Sequence, residues 1–455
     1  MAGASHNNIP KLGLIFLGRK RPGFDPDWGK AMAEAVRAPL RAGPAPVFEP
    51  PVKVIDDASV REAVAACRAA SVDVLIALQT TMADGRLAPT LCQLWADPIV
   101  LWATPEKPQG DMISSCSLVG AHAWASILRQ MGRAFEIVAG DPEDGQTLAA
   151  LHRAARVAYA AGRMRRCKAG LVGGAAPGFL AMAPDAAALQ RALGLALQTY
   201  SLVEFIDAAK TLSADAVAED VQRVLAMGLP MKDIAQDDLR MASRCYLAMR
   251  RLLDDEGLDA LAVRCWPELP GALGQWPYVA MARLTEEGEA IGCEGDIDGA
   301  ITCLIGKLLG AERGFLSDWL EHDRETIALW HGGLAPPSAC PAQGEPGAPV
   351  LARHFNNGMP AVVEGALAAN RPIALARLWR CDGEYWLTAR EAVTVEPPRR
   401  LMGTNGRARL ENGSPAEWFD ELCHAGTPHH VAVLPGRCQD LLRRFARAMR
   451  IQWMA

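Results

Sequence analysis

The segment IGCEGDIDGAITCLIGKLLG, residues 291–310, places three carboxylates, Glu294, Asp296 and Asp298, at the head of an otherwise apolar run. At helical spacing Ile297, Ile301, Leu304, Ile305 and Leu308 make one stripe, so a helix with a buried face is expected to begin near Asp296. Capping of free N–H groups and the helix dipole account for Asp296 and Asp298. Glu294 is different. It follows the short apolar stretch Ala290 to Cys293 and precedes the helix, a strand-to-helix junction of the kind where α/β proteins hold ligands. Other groups able to do chemistry stand at the edges of apolar runs: Asp318 after the strand-like RGFLS, His331 in LWHGG, and His429 and His430 in GTPHHVAVLPG. Two carboxylates and one imidazole drawn from separate strand ends would form an open site for a divalent ion such as Mn²⁺ or Mg²⁺, with substrate oxygens in the remaining positions. With 52 acidic residues and 9 histidines, residue type alone selects no single triple.

The elements that must position these groups follow from periodicity. KLGLIFLG (11–18), VDVLIALQT (72–80), PIVLWATP (98–105) and FEIVAG (135–140) read as strands, alternating with helices over 26–41, 59–70, 85–96 and 145–163. That alternation implies a parallel, doubly wound sheet. KAGLVGGAAPGF (168–179) opens a second strand-and-turn unit, with helices expected over 185–197, 215–227 and 234–255 and a strand in LDALAVRCW (258–266). Beyond about residue 310 the texture turns β-rich: 372–398 reads as a hairpin around Cys381-Asp382-Gly383-Glu384, and GTNGRARL (403–410) as carrying a turn at Asn405-Gly406. The Pro- and Gly-dense stretch 334–349 reads as a long loop. The expected architecture is two doubly wound, Rossmann-like α/β domains, 1–165 and 166–309, followed by a β-rich C-terminal domain, 310–455.

Composition narrows the function. A net charge of -5 without a long Lys/Arg tract argues against a nucleic-acid binder, and the densest basic patch, Gly162 to Lys168, reads as a solvated helix end. Twelve cysteines without a C-x-x-C pair, an N-terminus without a basic-then-apolar leader, and no apolar run of membrane-spanning length point to a reduced, cytoplasmic, soluble protein that binds no membrane. GGAAPGF (Gly173 to Phe179) lacks both G-x-G-x-x-G and the Lys-Ser/Thr ending of a P-loop, so a tight turn is expected there rather than a nucleotide site. Neither a G-x-S-x-G elbow nor an H-E-x-x-H or paired-cysteine zinc pattern is present.

The order and spacing of these pieces resemble the L-fucose and L-arabinose isomerase superfamily, most of all L-fucose isomerase-like proteins. The likeness is carried by CEGDIDGA with Glu294, GFLSDW with Asp318 and GTPHHVAVLPG with His430, and by WATPEKPQGDMISSCSLVG (102–120), AVRCWPEL (262–269) and LWHGGLAPPS (329–338). The resemblance implies that Glu294, Asp318 and His430 bind Mn²⁺, with Mg²⁺ or Co²⁺ as substitutes. It implies that Glu294 and Asp318 are catalytic, moving a proton between C2 and C1 of a sugar through an ene-diol. It also implies a homo-oligomer, a trimer or hexamer with active sites near subunit interfaces. Candidate substrate contacts are His331, Trp266, Arg264, Arg19, Arg21 and His429. The sequence departs from the family where L-fucose isomerase has an Arg in its first strand, which aligns with Ile15, and near Trp266, where a substrate-contacting Gln is replaced. Those departures imply a sugar other than L-fucose. Arg19, Lys20 and Arg21, if they face the pocket, would favour an anionic sugar such as sulfoquinovose. A sugar-binding or regulatory protein on the same fold is the alternative of another class, and the presence of all three expected ligands speaks against it.

Overall fold

The computed structural model describes residues 9–19 and 24–455. The chain divides into two compact units, one running to Arg163 and including Arg447–Met449, the other Met164–Ala446 with Arg450–Ala455.

In the first unit β1 (Leu12–Phe16), α1 (Pro26–Ala42), β2 (Val47–Phe48), α2 (Asp57–Ala69) and β3 (Val74–Gln79) alternate. They are followed by α3 (Leu87–Leu94), β4 (Ile99–Ala103), α4 (Ser117–Gln130), β5 (Phe135–Ala139) and α5 (Gly145–Met164). The strands pair in the order β2-β1-β3-β4-β5, all parallel. Every residue of VLIALQ in β3 is buried, because helices cover both faces of a parallel sheet and leave its centre no solvated side. One apolar cluster, with Leu75, Ala77 and Leu101, lies on one face, and a second, with Val74, Ile76 and Val100, on the other. Asp25 and Asp56 cap α1 and α2 by accepting backbone N–H bonds.

The second unit opens with β6 (Lys168–Val172), α6 (Ala186–Leu193), β7 (Ala196–Tyr200), α7 (Leu202–Thr211), α8 (Ala214–Ala226) and α9 (Leu239–Glu256). Next come β8 (Ala260–Val263), α10 (Glu268–Leu273), α11 (Tyr278–Glu286), β9 (Ala290–Gly292) and α12 (Ile297–Leu309). Its parallel sheet runs β7-β6-β8-β9. The helix expected over 185–197 is shorter, because Gly194 takes a left-handed conformation (φ 72°) that ends α6 and releases Ala196–Tyr200 to join the sheet.

The remainder is β10 (Phe315–His322), β11 (Thr326–His331), β12 (Val350–Ala352), β13 (Val362–Ala366), β14 (Pro372–Cys381), β15 (Glu384–Val395) and β16 (Thr404–Leu410). The chain ends with α13 (Pro415–His424), β17 (His430–Pro435), α14 (Gln439–Met449) and β18 (Gln452–Met454). The strand order β16-β11-β10-β17-β14-β15 is closed by pairing of β15 with β16, so these strands form an antiparallel barrel. The hairpin expected at 381–384 is present: Cys381 pairs with Glu384, and Asp382 and Gly383 both take positive φ, as a two-residue turn of this hand requires. The turn expected at Asn405-Gly406 is not. β16 runs straight through both residues, and Gly406 is there for close packing, since a side chain in its place would meet Leu367 at 2.6 Å. The alternation is thus α/β with Rossmann-like parallel sheets and a β-rich barrel toward the C-terminus. Among the described residues no disulfide joins the cysteines, and no helix is long and apolar enough to cross a membrane.

Candidate active site where the sheet meets the barrel

Glu294 lies just past the end of β9, in the turn that enters α12. Its φ of 58° is left-handed, a conformation that costs a residue with a side chain about 1 kcal/mol or more and that clusters at functional sites. Gly295 continues the turn at φ 71° and must be glycine, because a Cβ there would run into the carbonyl of Gly174. The GGAAPGF turn thus packs over the Glu294–Gly295 peptide, and Ala176 N–H donates to the Glu294 carbonyl at 2.8 Å. The Glu294 N–H donates to Cys265 Sγ at 3.3 Å, and the Trp266 indole N–H donates to Glu294 Oε1 at 3.0 Å. Oε2 is buried and lacks a hydrogen-bond partner.

The barrel brings the other groups to this carboxylate. Asp318, expected after a strand, lies within β10, whose bonds continue to His322. In the β10–β17 register Asp318 stands opposite His430, so the two project as a cross-strand pair. His430 Nε2 is 3.5 Å from Glu294 Oε2 and 3.6 Å from Asp318 Oδ1. His429 Nε2 reaches the same oxygens at 3.4 and 3.6 Å, although its ring is 41% exposed where that of His430 is fully buried. A charged oxygen left unpartnered in a buried spot, with a second carboxylate and two imidazole nitrogens around it, is a donor set that suits a hard or borderline divalent cation. The residues present therefore fit the ion that the resemblance implies. Burial by itself would raise the Glu294 pKa. The surrounding imidazoles of His429, His430 and His331 and the Trp266 N–H outweigh it and hold the carboxyl down at about 2.

Asp296 does more than cap. Oδ1 accepts the Gly299 N–H at 2.9 Å, as a cap should, and Oδ2 accepts the His430 Nδ1–H at 2.8 Å. Arg377 of β14 closes on the same carboxylate, its Nη2 donating to Oδ1 at 2.9 Å and its Nη1 to Oδ2. The sequence carried one signal of this: Arg377 interrupts the apolar run PIALARLW, and a guanidinium there needs a buried anion. Asp298, also buried, accepts from the Tyr385 hydroxyl at 3.3 Å, and burial pushes its pKa up to about 7 against the pull of Arg377.

His331 ends β11 with its ring centroid 5.4 Å from that of His430. Its Nδ1 accepts the Gly332 N–H at 2.8 Å, so its proton sits on Nε2, 3.1 Å from Cys293 Sγ. Burial lowers its pKa, so the ring is neutral. A wall that sequence reading missed is formed by Phe179, 4.6 Å from the His429 ring and 5.6 Å, edge-on, from Trp266. Arg264 precedes this cluster; it pairs with Glu268 at 2.9 Å and has a buried, unpartnered Nε. Arg19 belongs to the first unit, with its guanidinium 5.0 Å above Phe24, and Lys20 and Arg21 lie outside the described residues.

Comparison with known proteins agrees with this chemistry. A family model for the L-arabinose isomerase central domain matches residues 181–312. The sulfoquinovose isomerase of Priestia aryabhattai is 25% identical over 391 residues, covering 84% of this chain and 85% of that protein. That of Alkalicoccus urumqiensis is 26% identical over 382 residues, covering 82% and 84%. The L-arabinose isomerase of Clavibacter sepedonicus is 29% identical over 123 residues, 26% of this chain and 24% of that protein. The matched central domain and these relatives support the L-arabinose and L-fucose isomerase superfamily as the home of this chain, and an aldose–ketose isomerase as its class of enzyme.

Proposed function

We propose that the chain is a metal-dependent aldose–ketose isomerase with an L-fucose isomerase-like fold, acting through an ene-diol on a sugar other than L-fucose. The single observation that carries this is the approach of Glu294 Oε2 and Asp318 Oδ1 to within 3.6 Å of His430 Nε2. Glu294, Asp318 and His430 would hold the cation, Mn²⁺ by preference, and when bound it would supply positive charge opposite the negative charge that develops on the sugar's O1 and O2. Of Glu294 and Asp318, one removes the C2 proton and the other delivers a proton to C1, while one proton leaves the C2 hydroxyl and one reaches the C1 oxygen. Trp266 keeps the Glu294 carboxylate from turning by donating to Oε1, which leaves Oε2 facing His430. The neutral His331, whose Nε2–H faces Cys293 Sγ, would share that donor with a sugar oxygen when substrate binds. Phe179 and Trp266 offer apolar rings to the C–H face of a sugar.

In this reading residues 1–165 serve substrate recognition and contacts in a cytoplasmic homo-oligomer, a trimer or hexamer. Residues 166–309 end in the Glu294 turn, and residues 310–455 carry Asp318 and His430. A narrower reading, an anionic sugar such as sulfoquinovose, is favoured by the names of the long relatives and by the unpartnered Arg264 Nε. Arg264 would then face the anionic group.

The test is proton NMR in D₂O with Mn²⁺-loaded protein and a panel of neutral and anionic aldoses. Loss of the C2 proton with formation of ketose, abolished in Glu294→Gln, is expected for one sugar. Stoichiometric Mn²⁺ binding without exchange on any sugar would overturn the catalytic reading.

A further inference from the structure

We propose that Asp296 and Arg377 are a positioning pair that fixes the tautomer and the aim of His430, and thereby sets the cation affinity of the site. The proposal rests on the cation-site reading above. It begins from an oddity of economy: the side chains of Asp296, Arg377 and His430 are all essentially without solvent access, although a plain helix cap needs no burial and no guanidinium.

The geometry leaves His430 little freedom. Asp296 accepts four bonds: from Gly299 N–H and Arg377 Nη2 on Oδ1, and from Arg377 Nη1 and His430 Nδ1 on Oδ2. A forked guanidinium defines the plane of the carboxylate it grips. That plane then defines the direction from which His430 must donate. With its proton committed to Nδ1, the ring has its lone pair on Nε2, on the side of Glu294 and Asp318. Arg377 is held in turn. The next residue, Leu378, donates its N–H at 3.0 Å to Thr302 Oγ1, and that hydroxyl donates at 2.7 Å to the Asp298 carbonyl, so β14 is tied to the first turns of α12. Gly299 completes the arrangement, because a side chain there would collide with the Asp296 carboxylate.

A pair that served stability alone would also be buried and bonded, so the test must read the imidazole. With ¹⁵N-histidine-labelled, metal-free protein at a pH high enough to leave the ring neutral, NMR assigned through His430→Gln should show the His430 Nδ1–H tautomer in the wild type. The Nε2–H tautomer in the wild type would overturn the proposal with no variant needed. Titration with MnCl₂, read by the paramagnetic resonance of free Mn²⁺, should give Kd values about 10–100-fold weaker for Asp296→Asn and Arg377→Lys. Asp298→Asn, which alters the same helix start without touching His430, should stay within about twofold. Circular dichroism checks that each variant is folded. If Asp296→Asn does not fold, Arg377→Lys and the wild-type tautomer decide. Unchanged Mn²⁺ affinity in folded Arg377→Lys would overturn the proposal. Absence of Mn²⁺ binding by the wild type would instead sink the cation-site reading, with the tautomer still deciding whether the pair positions the ring.

Discussion

His430 and His331 lie on two strands separated only by β10, with ring centroids 5.4 Å apart, yet the site uses them in opposite senses. His430 sets its Nδ1 against the Asp296 carboxylate and turns its Nε2 toward Glu294 and Asp318. His331 takes a backbone N–H on Nδ1 and turns its Nε2 proton toward Cys293 Sγ. The neighbour, not the residue type, decides whether an imidazole holds a cation or donates to an oxygen. The two acids at the start of α12 repeat the contrast. Burial should raise both pKa values. For Asp296 the Arg377 fork and His430 win and hold its carboxyl far below the usual range, whereas burial wins for Asp298, at about 7.

The largest test of this contrast removes the lone pair or its carboxylate neighbour. His430→Gln and Glu294→Gln should each lose about 10³-fold or more in kcat/KM and lose stoichiometric Mn²⁺, measured by coupled ketose formation and metal analysis. A variant that keeps its Mn²⁺ and most of its turnover would erase the distinction between the histidines.

Next in size is Asp298→Asn. Asp298 has a folded pKa of about 7 against an unfolded value near 3.9, so between these the folded state keeps a proton that the unfolded state has lost. Its contribution to stability is therefore present below about pH 4 and lost as the pH rises to about 7, by about 4 kcal/mol in total. Relative to wild type, Asp298→Asn should gain stability across that window, as read by urea unfolding at pH 4.5, 6 and 8. A difference independent of pH would mean that Asp298 is ionised like Asp296.

His331→Gln should lower kcat/KM by about 10–100-fold, the worth of a hydrogen bond to a charge-bearing oxygen, with Mn²⁺ affinity within about threefold of wild type. A parallel fall in Mn²⁺ affinity would make His331 a ligand and merge the two roles. The smallest effect is expected of Phe179→Ala. Loss of one ring from the wall should raise KM by about 2–10-fold with kcat little changed.

Much of this was legible in the sequence because it depends on local order. Glu294 stands out at a junction between a short apolar strand and a striped helix, and the alternation up to residue 163 announces its parallel sheet. What was not legible depends on pairing across long separations. Asn405-Gly406 has the composition of a turn, and only contact with Leu367 shows that its glycine makes room inside a barrel strand. Asp296 is fully explained as a cap by its own neighbours, and its second role needs two residues 81 and 134 positions away. Phe179 likewise acquires its place from Trp266 and His429.

The 134 positions between Asp296 and His430 also bear on how the molecule folds. The helix that follows Glu294 is local, whereas His430 reaches it only through the pairing of β17 with β10, a long-range step with high loop entropy. If the proposed cation site holds, it is expected to be completed on the native side of the folding barrier. Added metal should then leave the refolding rate nearly unchanged and slow unfolding instead, so that an ion in the proposed site would also lengthen the lifetime of the folded state.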